Sequence, residues 1–145
     1  MIGLVVIIEI AGRRAALRAS DVQSVVELDD VVAVPHAPRF VLGLSALRSN
    51  TLTVIDAAAA MGLPPRGVPQ RGGRAVIVDR GGHRYALVVD GIDDVADAPG
   101  DPAPVPGEAG PGWERISEGL LETDRGPALL IALDVLLAGP PALAA

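Results

Sequence analysis

Residues 12–28 (GRRAALRASDVQSVVEL) and residues 82–98 (GHRYALVVDGIDDVADA) align without a gap when Gly82 is placed on Gly12. An apolar run typical of a β-strand precedes each segment, at residues 4–10 and 75–79. The matched positions are Gly12/Gly82, Arg14/Arg84, Ala16/Ala86, Leu17/Leu87, Val22/Ile92 and Val25/Val95. A unit that occurs twice in one chain predicts a duplicated supersecondary structure.

The second half of the unit also recurs, because LTVID at residues 52–56 is echoed by LIALD at residues 130–134. A short helical segment follows each, and in the first copy Asp56 as N-cap and Gly62 after the last turn bracket it. Aligning these segments pairs Asp56 with Asp134. Short strands without a long helix predict an all-β fold of two small β-barrels or sheets packed together.

The repeat divides one domain of residues 1–145 into two approximate lobes, 1–66 and 74–139, and leaves open an exchange of strands between them. A Pro/Gly/Arg-rich linker at residues 63–73 joins the lobes. The Val-x-x-Val spacing at residues 22–26 predicts one helical turn or a short irregular segment. Residues 107–113 predict a surface loop, with Trp113 filling the core of the second lobe.

Composition excludes several classes of function. The net charge is −6 and no lysine is present. Nucleic-acid binding is therefore not expected, because it needs clustered Lys and Arg to displace the counterions of the phosphates. The absence of cysteine excludes disulfides and thiolate chemistry. The first residues lack the basic start of a signal peptide, and the apolar C-terminal segment is interrupted well short of the about 20 residues of a membrane span. We therefore expect a soluble, cytoplasmic protein without membrane insertion.

No group of residues predicts catalysis, a cofactor or a metal site. His36 and His83 have no companion at metal-ligand spacing. The adjacent acids Asp29-Asp30 and Asp93-Asp94 point to opposite faces if they lie on strands, which is unsuited to joint acid–base work. No glycine-rich phosphate loop is found. The sequence favours a binding module over an enzyme.

The hairpin VLGLSALRSNTLTVID, residues 41–56, carries a resemblance to a known family. It resembles the signature of CheW-type chemotaxis coupling proteins, which runs Gly-x-x-Asn-Leu-Arg-Gly, two residues, then Pro-Val-Ile-Asp. The residues in register are Gly43, Leu47, Arg48, Val54, Ile55 and Asp56. Segments 21–23, 35–38, 89–95 and 130–137 are similar to other parts of the family, so the resemblance spans nearly the whole chain.

The resemblance implies two SH3-like five-stranded β-barrels in a non-enzymatic adaptor. Its implied partners are the regulatory domain of a CheA-type histidine kinase and the cytoplasmic tip of a methyl-accepting chemoreceptor, and it implies recruitment to membrane-associated receptor clusters. The implied partner-binding residues are Arg48, Val22, Val25, Leu44 and Asn50. We expect Leu47 and Leu52 to anchor the hairpin inward and to leave the Arg48 guanidinium in solvent.

The chain departs from the family signature at four positions. Ala46 replaces its Asn, Ser49 its Gly and Thr53 its Pro, and Ser24 stands where a Glu is common. We expect Asn50 to take the left-handed turn conformation in place of the glycine. These departures leave open a divergent module that binds another protein outside flagellar chemotaxis. A third reading is a small-molecule-binding or enzymatic barrel with a pocket between the lobes.

Overall fold

The computed structural model describes residues 2–70 and 72–140; Met1, Arg71 of the predicted linker, and the chain end at 141–145 lie outside the described residues. In the described part, ten strands are β1 Gly3–Ile10, β2 Arg13–Arg18, β3 Val22–Glu27, β4 Val41–Leu47, β5 Asn50–Asp56, β6 Arg74–Arg80, β7 His83–Val88, β8 Gly91–Ala98, β9 Ser117–Thr123 and β10 Gly126–Ile131. The helices are α1 Ala57–Ala60, α2 Pro111–Ile116 and α3 Leu133–Ala138, with a 3₁₀ turn at Ala19–Asp21. None of the described helices has the length and apolar character needed to span a bilayer.

The described strands form two five-stranded sheets, with strand orders β8-β1-β2-β10-β9 and β3-β6-β7-β5-β4. We call them barrel 1 and barrel 2. In barrel 2 the chain after β3 returns to the far edge strand, where Val32 and Leu44 exchange two backbone hydrogen bonds of 2.8 Å. Ala103 and Leu120 form the same bridge in barrel 1. The predicted all-β fold of two SH3-like five-stranded barrels with short helical segments is confirmed.

Each barrel takes strands from both halves of the chain, so the barrels do not follow the predicted lobe boundaries at 1–66 and 74–139. After β2 the chain crosses to the other sheet, where β3 pairs with β6. After β7 the chain crosses back, and β8 pairs with β1. The segment at residues 63–73 therefore connects β5 and α1 to β6 within barrel 2, and does not link two separate lobes. The strand exchange that the repeat left open is the arrangement observed.

Two local predictions are wrong. Residues 22–26 lie in β3 and are not a helical turn, because their β-branched side chains suit the pairing of Val22 with Val78 and Val26 with Ala75. Residues 107–113 are not wholly a surface loop, since α2 begins at Pro111, where a proline costs no hydrogen bond. This helix buries Trp113.

The duplication is present, but one of its predicted pairs is out of register. Gly12 and Gly82 occupy the same position of equivalent two-residue turns, each with φ +80°. In the parallel pairs, Val54 lies opposite Ala86 and Leu130 opposite Ala16. Val54 therefore corresponds to Leu130, and Asp56 to Ala132 rather than Asp134. The second copy has a longer connection between its third and fourth strands, where α2 lies, which raises the offset from 70 to 76 residues, whereas the predicted pair requires 78.

The core has three parts. One cluster belongs to barrel 1, and another to barrel 2. The largest lies between the barrels and draws on both of them and on all three helices, including Trp113, Ile116, Leu133 and Leu136. Trp113 thus packs between the barrels, not in the interior of a second lobe. This shared core holds the two barrels together.

Glycine is required where each barrel closes. Gly43 has φ +150°, and a Cβ placed on it would lie 2.2 Å from the carbonyl oxygen of Val32. Gly119, at the equivalent place in barrel 1, would bring a Cβ within 2.7 Å of the Ala103 oxygen. These contacts are too short for any side chain, so the closing bridges depend on glycine.

Candidate partner-binding surface

The tip of the β4–β5 hairpin is a two-residue turn made by Arg48 and Ser49. Leu47 pairs with Asn50, and the two residues between them have φ values of 50° and 69°. Positive φ at both positions is the type I′ geometry that matches the twist of antiparallel strands. The prediction that Asn50 takes the left-handed conformation is wrong, because Asn50 is the first residue of β5. Ser49, which stands at the family glycine, takes it instead.

Arg48 projects from this tip into solvent. The residue is exposed, and within the described residues its guanidinium makes no hydrogen bond or ion pair. Leu52 is buried and Leu47 is half-buried against the core of barrel 2, which fixes the hairpin below the tip. The expected geometry of an anchored hairpin with a solvent-exposed arginine is therefore observed. An arginine held on a rigid hairpin offers a planar set of donors to a carboxylate.

An apolar patch lies on the outer side of the same barrel. Val25 and Leu44 are each 38% exposed, although both lie within strands. Val32 is 67% exposed and sits directly across from Leu44 in the closing bridge. Sequence reasoning missed Val32, because it is one of several apolar residues in the connection at residues 28–40 and only closure of the barrel brings it beside Leu44. Exposed apolar side chains on the same barrel as an unpaired cation suit a protein contact.

The five partner-binding residues implied by the resemblance differ in their exposure and in their place on barrel 2. Arg48, Leu44 and Asn50 share the β4–β5 hairpin, and Asn50 is exposed. Val25 lies on β3, the edge strand at the opposite side of the same sheet. Val22 is half-buried and packs against the shared core, so it presents less surface to a partner than Val25 does.

Asp56, the last residue of the family signature, is fully buried and has a structural role. One carboxylate oxygen accepts a hydrogen bond from the amide of Ala59 at 3.2 Å and thereby caps α1, as predicted. The other accepts from the amides of Arg66 and Gly67 at 2.7 and 3.0 Å. Asp56 therefore joins the hairpin to the segment that leads to β6, and it is not available to a partner.

The departures from the signature change the chemistry of the outer surface. Ala46 and Ser24 are both exposed, on β4 and β3. Where the family has an amide and a carboxylate, this chain has a methyl group and a hydroxyl. Thr53 lies across from Leu44 on one side and Tyr85 on the other. The outer surface of barrel 2 therefore offers fewer polar groups at these two positions than the family signature does.

The remaining titratable residues are dispersed over the surface. His36 and His83 are exposed and far apart in the chain. Asp93 pairs with Arg14 at 3.7 Å and Asp94 with Arg125 at 3.0 Å, so the two adjacent acids face different partners. Among residues 2–70 and 72–140, no three His, Cys, Asp or Glu side chains are grouped as metal ligands.

One ion pair of barrel 1 perturbs a pKa. Both terminal nitrogens of Arg18 on β2 lie within hydrogen-bond distance of Glu118 on β9, at 2.5 and 3.3 Å. This hydrogen bond raises the pKa of Arg18 above its ordinary value. An arginine is charged at every physiological pH. The pair therefore links two strands of the barrel and does not transfer a proton.

Comparison with known proteins agrees with this geometry. The CheW-like domain family matches residues 4–139. The probable chemotaxis protein CheW of Rhizobium etli is 30% identical over 106 residues, which cover 72% of this chain and 67% of that protein. The crystal structure of scaffolding protein TtCheW from Thermoanaerobacter tengcongensis superposes with a TM-score of 0.78 at 27% identity, covering 94% of this chain and 92% of that one.

The family match and the superposition on a scaffolding protein, for two barrels that exchange strands around a shared core, define a non-enzymatic scaffolding protein. This chain belongs to the CheW-like domain family. It is a scaffolding and coupling protein of chemotaxis, as the resemblance of its hairpin implied.

Proposed function

We propose that this protein couples the cytoplasmic tips of chemoreceptors to a CheA-type histidine kinase. The observation that carries the proposal is the unpaired Arg48 at the tip of a hairpin whose barrel also exposes Val25, Val32 and Leu44, on a chain of this family. Such a surface offers apolar contact area together with a directional charge. We place the protein in the cytoplasm, recruited to membrane-associated receptor clusters.

Barrel 2 is the docking element in this proposal. The regulatory domain of the kinase and the receptor tip are the two proposed partners, and a carboxylate or carbonyl on a partner accepts from the guanidinium. The buried Leu52 and half-buried Leu47 fix the hairpin backbone that carries the arginine, which lowers the entropy cost of positioning it on a partner. Nucleic acid and the lipid bilayer are not among the proposed partners, given the net charge of −6.

Replacing Arg48 by alanine is expected to weaken partner binding by more than about 1 kcal/mol, because the anchor of the contact is lost. Its free energy of unfolding should change by no more than about 0.5 kcal/mol, since the side chain is exposed and unpaired. Arg48→Lys should restore only part of the affinity, because a point charge lacks the planar fork. Titration calorimetry against the kinase regulatory domain and a receptor fragment, beside thermal unfolding, measures both quantities.

Arg39→Ala is the matched control. Arg39 is also exposed and without a hydrogen bond or ion pair in the described chain, but it precedes the opposite end of β4. Equal affinity losses for the two alanine variants would show that net charge, and not the hairpin tip, matters. A strong loss of stability in Arg48→Ala would make the arginine structural.

A second candidate is an interaction module that has kept the fold but binds a different protein. The exposed Ala46 and Ser24 favour it, because both replace polar residues of the family signature. If neither kinase nor receptor binds the wild-type protein in the same calorimetry, and affinity purification from the native host recovers another partner that Arg48→Ala no longer binds, this second candidate replaces the first.

A further inference from the structure

The chain passes from one barrel to the other at two places, and each place carries an aspartate. Crossing 1 is the 3₁₀ turn Ala19–Asp21, between β2 of barrel 1 and β3 of barrel 2. Crossing 2 is residues 89–90, between β7 of barrel 2 and β8 of barrel 1. In the described part of the chain these are the only covalent connections between the barrels. A rotation of one barrel relative to the other must therefore bend both crossings.

Asp90 in crossing 2 has one carboxylate oxygen on each barrel. One oxygen lies 3.0 Å from Nε of Arg66, in the connection between α1 and β6 of barrel 2. The other accepts a hydrogen bond of 2.6 Å from the amide of Ala11, in the β1–β2 turn of barrel 1. The backbone of Arg66 is itself held, because its amide donates to the buried Asp56. Asp90 thus joins a fixed point on one barrel to a fixed point on the other.

Arg80, at the end of β6 in barrel 2, makes the ionic contacts at crossing 1. Its Nη1 lies 3.3 Å from a carboxylate oxygen of Asp21, whose side chain is only 15% exposed. Its Nε lies 2.6 Å from a carboxylate oxygen of Asp134 on α3, the helix that follows β10 of barrel 1. This Nε is buried, and its contact is an ion pair without the alignment of a hydrogen bond. We call Arg66–Asp90, Arg80–Asp21 and Arg80–Asp134 the inter-barrel ion pairs.

The packing around crossing 2 is open. Two clefts, of about 240 and 250 Å³, both have Gly91 and Ile92 in their lining. The first is otherwise lined by residues of β1 and β2 and by Asp93, and the second by residues 69, 73–74 and 88–90. Protein interiors owe their rigidity to close packing, and the clefts interrupt it beside this crossing. The polar contacts of Asp90 therefore restrain the backbone here.

We propose that the two crossings are hinges, and that the inter-barrel ion pairs hold the barrels at one relative orientation. The shared core keeps the barrels together, but apolar attraction is not directional. The part of this core that α1 supplies consists of alanines, whose small side chains interlock little with their neighbours. Ion pairs at element ends can therefore select the angle, because a few such residues absorb a hinge motion.

The helices remain in contact while the barrels turn. Arg115 on α2 donates to the carbonyls of Ala60 and Gly139, at 2.9 and 3.0 Å, and these bonds involve neither crossing. Release of the inter-barrel ion pairs would leave each barrel folded but make the spacing of their surfaces variable. A partner that contacts both barrels finds them already oriented, which lowers the cost of binding. This inference goes beyond the proposed function and does not depend on it.

The distance between spin labels on the two barrels tests this proposal. The chain contains no cysteine, so Thr51→Cys on β5 and Glu122→Cys on β9, both exposed, label one site on each barrel. The labelled full-length protein is expected to give one narrow distance distribution by double electron–electron resonance. Adding Arg66→Gln and Arg80→Gln should widen the distribution about twofold or more, because both hinges are then released. Arg66→Lys with Arg80→Lys keeps the charges and should give a distribution narrower than that of the glutamine variant.

Arg18→Gln is the matched control. Arg18 pairs with Glu118 within barrel 1 and its side chain is 34% exposed, close to the 40% of Arg80. Its loss leaves both hinges restrained, so the narrow distribution should persist. The unfolding midpoint of the double glutamine variant should fall by less than about 8 °C, since partly exposed ion pairs contribute little to stability.

Three results overturn the proposal. The first is a double glutamine variant with a distribution as narrow as that of the parent protein, or a parent already as wide as the variant. The second is an Arg18→Gln variant as wide as the double variant. The third is a larger fall of the unfolding midpoint, because the contacts would then maintain the fold and not the orientation. None of these measurements involves the kinase or the receptor, so they leave the coupling function to its own test.

Discussion

Gly43→Ala is expected to destabilise the protein by about 3 kcal/mol or more. The new Cβ would lie 2.2 Å from the carbonyl oxygen of Val32, and the atoms it meets are backbone, which cannot move aside as a flexible side chain does. Relief of the clash requires separation of Val32 from Leu44, with loss of the two hydrogen bonds that close barrel 2. Urea denaturation monitored by circular dichroism gives the free energy of unfolding.

Gly12→Ala separates this clash from backbone strain. Gly12 also has a positive φ, of +80°, but nothing lies within 4 Å of a Cβ placed there. Strain alone should therefore cost about 1–2 kcal/mol at Gly12. If the two variants lose the same stability, the close approach at Gly43 is not what makes glycine necessary, and our description of the closing bridge is wrong.

Asp56→Asn is expected to lower the free energy of unfolding by about 3 kcal/mol. The amide oxygen of asparagine can still cap α1 through Ala59. Its amide nitrogen, however, would face the amides of Arg66 and Gly67, and three donors would then meet in a buried site without an acceptor. Chemical denaturation measures the loss. Faster hydrogen exchange at the amides of Arg66 and Gly67 should accompany it.

Asp134→Asn is the control for this prediction. The Asp134 side chain is 76% exposed and pairs with Arg80 across 2.6 Å, and α3 has no side-chain cap. An exposed ion pair contributes little, so the change in stability should stay below about 1 kcal/mol. Equal losses at the two positions would argue that Asp56 acts through charge alone, against the hydrogen-bonding role described above.

The sequence alone predicts the duplication, because small and apolar residues must recur wherever the same turn and strand are built twice. Gly12 and Gly82 show this directly, since both need a positive φ at the same turn. The pairing of Asp56 with Asp134 failed for the opposite reason. An aspartate near the start of a helix can be a buried N-cap, as Asp56 is, or the exposed second residue of the helix, as Asp134 is. The sequence alone does not distinguish these two environments.

The exchange of strands between barrels could be anticipated only as an alternative. The residues of β3 do not reveal which of the two sheets the strand joins. Its pairing with β6 depends on the turn that the chain makes at Ala19–Asp21. The same limit applies to the docking surface. Val32 lies in a connection and is brought beside Leu44 only by closure of the barrel, so no local signal marks it as part of the patch. Arg48 was found because the family signature marks it.

Reconstitution of the signalling complex tests the coupling role most directly. The phosphorylation rate of the CheA-type kinase of the host would be measured with receptor fragments assembled on vesicles, in the presence and absence of this protein. We expect the receptor to change kinase activity only when the wild-type protein is present, and Arg48→Ala to abolish most of that change while Arg39→Ala preserves it. A kinase whose response to receptor is the same with and without this protein would contradict the account.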